Sequence, residues 1–406
     1  ASDVYKRQLY NNGMKGMEKK FLNASGKLQA LCYKYEIERN LRTPEYPGYQ
    51  LLALNDYSGQ GTALEGVLNV FWREKGYIDG PTWQQWCAPV VLLARLPKFV
   101  YTNSQTLTAP IEAVNATEEV ITPTTLNCTV SDASGKEIWS QTLGNTDIAI
   151  GKGNKLGTLS LPLDKLPSPA KYTLSANMAY GNDTVTNTWD FWVYPDRVDT
   201  SVPDCIFVTD TLDDKALATL RAGGKVLITA AGKVTLGDDV VQHYTPVFWN
   251  TSWFKMRPPH TTGVSIDTSH PLFAHGFPTD DWSNLNWWEL VNRAQVINLV
   301  DLPKEYQSPV QPIDTWHLSR KLGMLVEAEV EGGKLLITTM DIDNNLDRRP
   351  VARQMRRAIL DYMASPDFAP AMKLPAERIA DMFTKRTPPI QMYTNDSPDE
   401  LKPKFK

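Results

Sequence analysis

Along the 406-residue chain the spacing of apolar residues changes period twice, and this limits the fold more than any single motif does. From Met14 to Arg42 the pattern is helical: Leu28, Leu31, Cys32 and Tyr35 fall at i, i+3, i+4 and i+7, on one face. Thr43-Pro44 stops that helix, because the residue before a proline is pushed out of the α region. From Phe99 to Pro195 the period drops to two. Tyr172, Leu174, Ala176 and Met178 alternate with polar residues, as do Trp189, Phe191 and Val193, and Ser134-Gly135 and Gly181-Asn182-Asp183 supply turns. About a hundred residues of this texture predict an immunoglobulin-type β-sandwich. Cys128 has no cysteine partner in that segment, so an antibody-style disulfide is not expected.

From Asp199 onward, strands and helices alternate. Cys205–Val208 and Lys225–Thr229 read as short strands flanking a helix over Leu212–Leu220. Gly333–Met340 reads as a buried strand leading to Asp341-Ile-Asp343. Pro350–Met363 then reads as a helix with Val351, Met355, Ile359 and Met363 on one face and Pro at its first turn. Such alternation predicts an open, doubly wound sheet. Residues beyond Pro370 read as a polar, Lys/Pro-rich tail.

One short stretch points to function. Gly48–Gly61, GYQLLALNDYSGQG, reads as a buried strand over Tyr49–Leu54 opening onto a polar, glycine-hinged loop. A second helix is expected after Gly61, through Leu64, Leu68 and Phe71. Helix, buried strand, polar loop, helix is one turn of an α/β barrel, in which chemistry gathers at the carboxyl ends of the strands. Asn55, Asp56, Tyr57 and Gln60 fall there. A whole barrel needs about 250 residues, and fewer than a hundred precede the change of texture, so the expectation is the end of a barrel.

Composition sets outer bounds. The chain is 42% hydrophobic and 22% charged with a net charge of −4, which supplies no electrostatic footprint for nucleic acid or an anionic membrane. No apolar run approaches the roughly 20 residues of a membrane span. Cys32, Cys87, Cys128 and Cys205 are scattered, without a CxxC pair or a histidine at ligand spacing, so no metal site is expected and most are read as buried small hydrophobes. The opening ASDVYKRQ, residues 1–8, resembles the read-through translation of a transposon-type sequencing adapter and is set aside from fold reasoning.

Three longer runs carry a family resemblance. "GKLQALCYKYEIERNLRTPEYPGYQLLALNDYSGQGTALEGVLNVFWREKGYI" resembles the end of the catalytic barrel in bacterial β-galactosidase-like enzymes of glycoside hydrolase family 2. "LPKFVYTNSQTLTAPIEAVN" resembles the start of their immunoglobulin-like domain. "HPLFAHGFPTDDWSNLNWWEL" and "GKLLITTMDIDNNLDRRPVARQMRRAILDYMASPDFAP" resemble a C-terminal domain of class I glutamine amidotransferase-like topology. The resemblance covers roughly residues 9 to 370 in the same order. It implies a multidomain α/β plus β protein. Its parts are an incomplete (β/α)8 barrel over residues 9–95, an immunoglobulin-like sandwich over 96–197, a degenerate amidotransferase-like domain over 198–370 and the tail over 371–406. It also implies a retaining exo-β-glycosidase acting on a carbohydrate substrate without a cofactor, in a periplasmic or secreted setting, and it leaves a homo-oligomer open.

The family's acid/base and nucleophile glutamates lie on earlier barrel strands, which this alignment puts upstream of residue 1, so no catalytic residue is carried over. Glu36 and Glu38 sit at i and i+2 of a helix, on different faces, and charged helix positions are usually solvated surface. Asp56 and Gln60 stand either to bond sugar hydroxyls or, for Asp56, to cap the following turn. Tyr57 stands either to stack on a sugar or to pack. An amidotransferase would need a cysteine at a strand-to-helix elbow, and Ile228-Thr-Ala-Ala-Gly232 has none. His270 and His275 read as loop or core histidines, and Trp282, Trp287 and Trp288 as core, sugar platform or subunit contact. Arg348 and Arg349 are expected to pair with acids at the helix start. The competing class is a non-catalytic carbohydrate-binding or scaffolding protein.

Overall fold

The helical spacing read from Met14 to Arg42 is realised as α2, Glu18–Leu41, and it is preceded by a helix that was not expected, α1, Ser2–Asn11, which includes most of the residues set aside from fold reasoning. The computed structural model describes residues 2–57, 59, 65–244, 261–315 and 318–388. Its contacts divide the chain into two units: Ala1–Leu28, Asn55–Gly66 and Asp199–Lys406 in the first, Gln29–Leu54 and Val67–Val198 in the second. The span 9–95, expected to be a single barrel end, is thus shared between the units.

In the second unit the buried stripe of α2 runs through Lys34, Ile37, Glu38 and Leu41, with Leu31, Cys32 and Tyr35 half-buried. The helical period is as expected, but its most buried face is turned by about one residue and carries two charges. Downstream comes α3, Gly80–Gln84, capped by Asp79, whose carboxylate accepts the Thr82 N–H at 2.8 Å. Eight strands follow: β1 (Val90–Ala94), β2 (Val100–Thr102), β3 (Thr106–Asn115), β4 (Thr125–Asp132), β5 (Glu137–Thr142), β6 (Gly151–Pro162), β7 (Ala170–Tyr180) and β8 (Asp183–Tyr194). They make a three-stranded sheet, β1-β3-β6, and a five-stranded sheet, β2-β8-β7-β4-β5. Both sheets feed one core, in which Leu92, Ala109 and Leu159 meet Cys128, Leu174 and Phe191. The alternating residues Tyr172, Leu174, Ala176 and Met178 are all buried, each two positions from the next, as the pleat requires.

Two elements expected of a barrel differ. Tyr49–Leu54 forms no strand. Ala53 has φ of 62°, which breaks an extended run, none of these residues pairs with a described strand, and Leu52 is 70% exposed. An apolar strand needs a pairing edge and covered faces, and here it has neither. The helix expected through Leu68 and Phe71 is a turn, and Leu64 lies outside the described residues. Leu68 bridges Glu74, and the Asn69 side chain accepts the N–H groups of Phe71 and Arg73 at 2.9 and 3.1 Å. An asparagine that captures backbone donors this way competes directly with helix formation.

In the first unit β9 (Ile206–Thr209), α4 (Asp214–Arg221) and β10 (Lys225–Thr229) form a β-α-β run with β9 and β10 parallel. Then come β11 (Val264–Ile266), α5 (Trp288–Asn292), β12 (Ile297–Asn298), β13 (Val310–Pro312), β14 (Leu322–Gly323), β15 (Leu325–Val330), β16 (Gly333–Thr338), α6 (Pro350–Ala364) and α7 (Ala376–Thr384). The main sheet has the order β15-β16-β10-β9, with β16 parallel to β10 and β15 antiparallel at the edge. On α6, Val351, Met355, Ile359 and Met363 are all buried, the face the spacing predicts. The polar tail expected beyond Pro370 instead begins with structure. Leu374, Ile379 and Met382 pack on Leu220, Ile228 and Leu335, so α7 covers the sheet core. Its apolar residues recur at helical spacing inside a Lys/Pro-rich frame that hid them. Among the described residues no helix is long and apolar enough to cross a membrane.

Candidate functional site

The loop singled out in the sequence is held by its own backbone. Asp56 is buried at 5% exposure, and its Oδ1 accepts the Gly66 N–H at 3.1 Å. The chain returns so closely that a Cβ on Gly66 would run into the backbone of Asn55 and Asp56, which explains a glycine there. Asn55 donates from Nδ2 to the Asp56 carbonyl at 3.0 Å, and Tyr57 is 62% exposed. Asn55, Asp56 and Tyr57 therefore sit together at the loop mouth, with Asp56 fastening it. Gln60 lies outside the described residues.

Glu36 and Glu38 lie on different faces of α2, and their environments are opposite. Glu36 is exposed. Glu38 is fully buried, contrary to the expectation of a solvated position. Its Oε1 accepts from Lys34 at 2.6 Å and Asn187 at 2.9 Å, and its Oε2 from Trp189 at 3.0 Å and Arg42 at 3.1 Å. Four donors occupy the carboxylate completely, leaving no lone pair for chemistry. Lys34 lies 5.0 Å from the ring centres of both Trp86 and Trp189. Burial pulls the Lys34 ammonium below its usual value, and Glu38 opposes that shift.

Other residues read from the sequence take structural places. Trp287 is completely buried and donates to Thr279 Oγ1 at 2.9 Å, Trp282 is half-buried and Trp288 is exposed. Arg349 pairs with Glu289 and, at 2.9 Å, with Asp341, whereas Arg348 is exposed beside Asp347. His275 meets Asp367 at 3.0 Å. All four cysteines are free; Cys128 is buried, Cys32 and Cys87 are half-buried and Cys205 is exposed, so most are less buried than expected. Among the described residues no group of three or more His, Cys, Asp or Glu is placed to hold a metal.

One concave feature of the first unit was not visible in the sequence. It is a cavity of about 520 Å³ whose lining includes Ser265, Asp267, His270, Tyr306, Gln311 and Glu327. His270 caps a short 3-10 helix: its Nδ1 accepts the Leu272 N–H at 3.3 Å, which assigns the ring proton to Nε2, 3.3 Å from Glu327 Oε1. Tyr362 donates to Glu327 Oε2 at 2.8 Å. Burial, followed by the Glu327 charge, pushes the Tyr362 phenol far above its usual value; burial does the same at Tyr306, so both hydroxyls keep their protons. Both ring nitrogens of His270 are engaged, so the arrangement positions Glu327 and supplies no free base. In the second unit, Tyr35, Arg42, Phe99 and Trp189 help line a smaller hollow of about 290 Å³.

Two family models, each a domain of unknown function, match the chain: DUF8488 over residues 105–195, all of β3 to β8, and DUF8487 over residues 207–384, from the second residue of β9 to the end of α7. No curated protein matches it. Partial likeness extends to solved structures, among them the β-glucuronidase of Parabacteroides merdae at 14% identity and TM-score 0.21, covering 35% of this chain and 21% of that one. A putative β-galactosidase from Bacteroides fragilis has 15% identity and TM-score 0.21, covering 34% and 24%. The sporulation control protein Spo0M of Bacillus subtilis has 12% identity and TM-score 0.22, covering 26% and 50%. These weak likenesses thus include glycoside hydrolases, and the chain spans half or less of each of the three proteins.

Proposed function

We propose that this chain is the C-terminal part of a retaining exo-β-glycosidase of the β-galactosidase-like type in glycoside hydrolase family 2. The observation that carries the reading is the order of the quoted sequence runs: barrel end, immunoglobulin-like domain, amidotransferase-like domain. What supports it is that the strands of the two-sheet core, within residues 90–194, precede those of the parallel sheet, within residues 206–338, in the chain. In this reading the loop mouth at Asn55, Asp56, Tyr57 and Gln60 forms one wall of the sugar pocket. The amide and carboxylate orient hydroxyls, and Tyr57 offers an open ring face. A retaining hydrolase needs two carboxyl groups about 5–5.5 Å apart. Glu38 is saturated and Glu36 is on another face, so these two do not form that pair, and in this reading it lies on the earlier barrel strands that the family resemblance implies.

The test is an assay of 4-nitrophenyl β-D-galactoside hydrolysis, first with this chain and then with the same chain joined to the protein encoded upstream. The chain alone should show no turnover. The joined protein should be active and lose activity when either of two strand-end glutamates is changed to glutamine. Turnover by the chain alone, abolished by changing one of its own glutamates, would overturn the proposal, as would a folded, inactive joined protein.

A further inference from the structure

The 520 Å³ cavity of the first unit has a polar floor whose groups are not used by the fold. Ser265 and Gln311 are direct partners across the antiparallel pair β11–β13, so their side chains share one face of it. They are 7% and 2% exposed, and both line the cavity. The Gln311 amide nitrogen meets only the thioether of Met14, at 3.2 Å, a weak acceptor. Among the described residues neither Gln311 Oε1 nor Ser265 Oγ has a hydrogen-bond partner. Both oxygens line the cavity and keep an acceptor direction that a donor on an entering ligand can take.

The walls decide what kind of ligand. Four carboxylates line the cavity, those of Asp267, Asp281, Glu305 and Glu327, against one lysine, Lys20. Asp267 Oδ1 accepts both the N–H and the hydroxyl of Ser269, Asp281 pairs with Lys27, and Glu327 receives one bond on each oxygen from His270 and Tyr362. Asp267 Oδ2 and the second lone-pair direction of each Glu327 oxygen remain open, so the space is bordered by unused carboxylate acceptors. Met17, Met372 and Pro309 provide apolar wall. An acceptor-rich cavity with an apolar side suits a compact, donor-rich cation, since an ammonium group carries three donors and no acceptor. The volume lies within the usual range of small-molecule sites, about 300–1,000 Å³.

We propose that this cavity binds a small organic amine, its ammonium bonded to the acceptors of Gln311, Ser265 and the adjoining carboxylates and its body against Met17 and Met372. The site is independent of the glycosidase reading and stands or falls apart from it.

The probe pair is D-glucosamine and D-glucose, which share a ring and differ at one position by an ammonium against a hydroxyl. Isothermal titration calorimetry on the full chain at pH 7 should show glucosamine binding about tenfold more tightly than glucose, the scale of one charge-assisted hydrogen bond. Gln311→Leu should weaken glucosamine roughly fivefold, the scale of one neutral bond, with unchanged melting. Should Gln311→Leu fail to fold, Ser265→Ala tests the same floor. Lys20→Ala, at the exposed rim, should leave binding intact or tighten it by removing a competing cation. Equal binding of the two sugars, binding of neither, indifference to both floor substitutions, or loss of binding in Lys20→Ala would each overturn the proposal.

Discussion

Glu38 in the second unit receives four hydrogen bonds, two to each oxygen, and touches no solvent; Glu327 in the first receives one on each oxygen and borders a cavity. Both carboxylates are held away from bulk water, Glu38 by two near neighbours in the chain and two distant partners, Glu327 by two distant ones. The difference lies in what is left over. A saturated carboxylate has nothing to offer a ligand and acts as a fastener between helix and sheet. One with spare lone pairs beside a hollow keeps part of its capacity for something that enters. Burial of an acid is therefore a poor guide to function, and the count of its donors is a better one.

This contrast is most easily broken by truncation. Glu38→Ala leaves Lys34 buried between two tryptophans without its bonded counter-charge, and a poorly compensated buried charge is costly. The second unit should lose about 3–5 kcal/mol, read by urea unfolding followed through tryptophan fluorescence. A loss below about 1 kcal/mol would mean the network contributes little, as exposed ion pairs do. Glu327→Ala should cost less, about 1–2 kcal/mol, because water entering the cavity can satisfy His270 and Tyr362. If the two substitutions prove equally damaging, Glu327 is as much a fastener as Glu38 and the distinction fails.

The thiols sharpen the same contrast between enclosed and open positions. Burial pushes the Cys128 thiol up to about 12 and the Cys32 thiol up to about 11, the latter helped by Glu36. The thiolate is the reactive form, so at pH 8 neither should react quickly in the folded chain. Cys205 is exposed and should be modified first by a disulfide reagent such as dithionitrobenzoate. Cys128 should react only when denaturant opens the two-sheet core. Rapid modification of Cys128 without denaturant would show that the two-sheet core opens locally.

How much of this could be read from the chain varies with the range of the interactions. The alternation at Tyr172–Met178 and the apolar run Lys225–Thr229 signal strands because each local pattern agrees with its surroundings. Tyr49–Leu54 carries an equally apolar pattern, yet a strand also needs neighbours, and a local pattern cannot supply them. The role of Glu38 was hidden because Asn187 and Trp189 lie 149 and 151 positions away. The cavity was hidden for the same reason. Its lining comes from α2, the β11 and β13 region and β15, and no short motif spans those segments. The loop at Asn55–Tyr57 was visible from its composition. Its fastening through Gly66 was not, since a glycine's close approach to backbone appears only once the chain has folded.

The most direct test of the functional reading is Asp56→Asn in the protein restored with its upstream region. Asparagine keeps the side-chain oxygen that accepts the Gly66 N–H, so the loop stays closed and the melting temperature should hardly move. What it removes is the charge. If Asp56 orients a sugar hydroxyl, losing a charge-assisted hydrogen bond should cost about 1.5–3 kcal/mol of transition-state binding. That corresponds to roughly a ten- to hundredfold fall in kcat/KM for 4-nitrophenyl β-D-galactoside. A value within about twofold of the unaltered enzyme would contradict this account and leave Asp56 as a loop fastener alone.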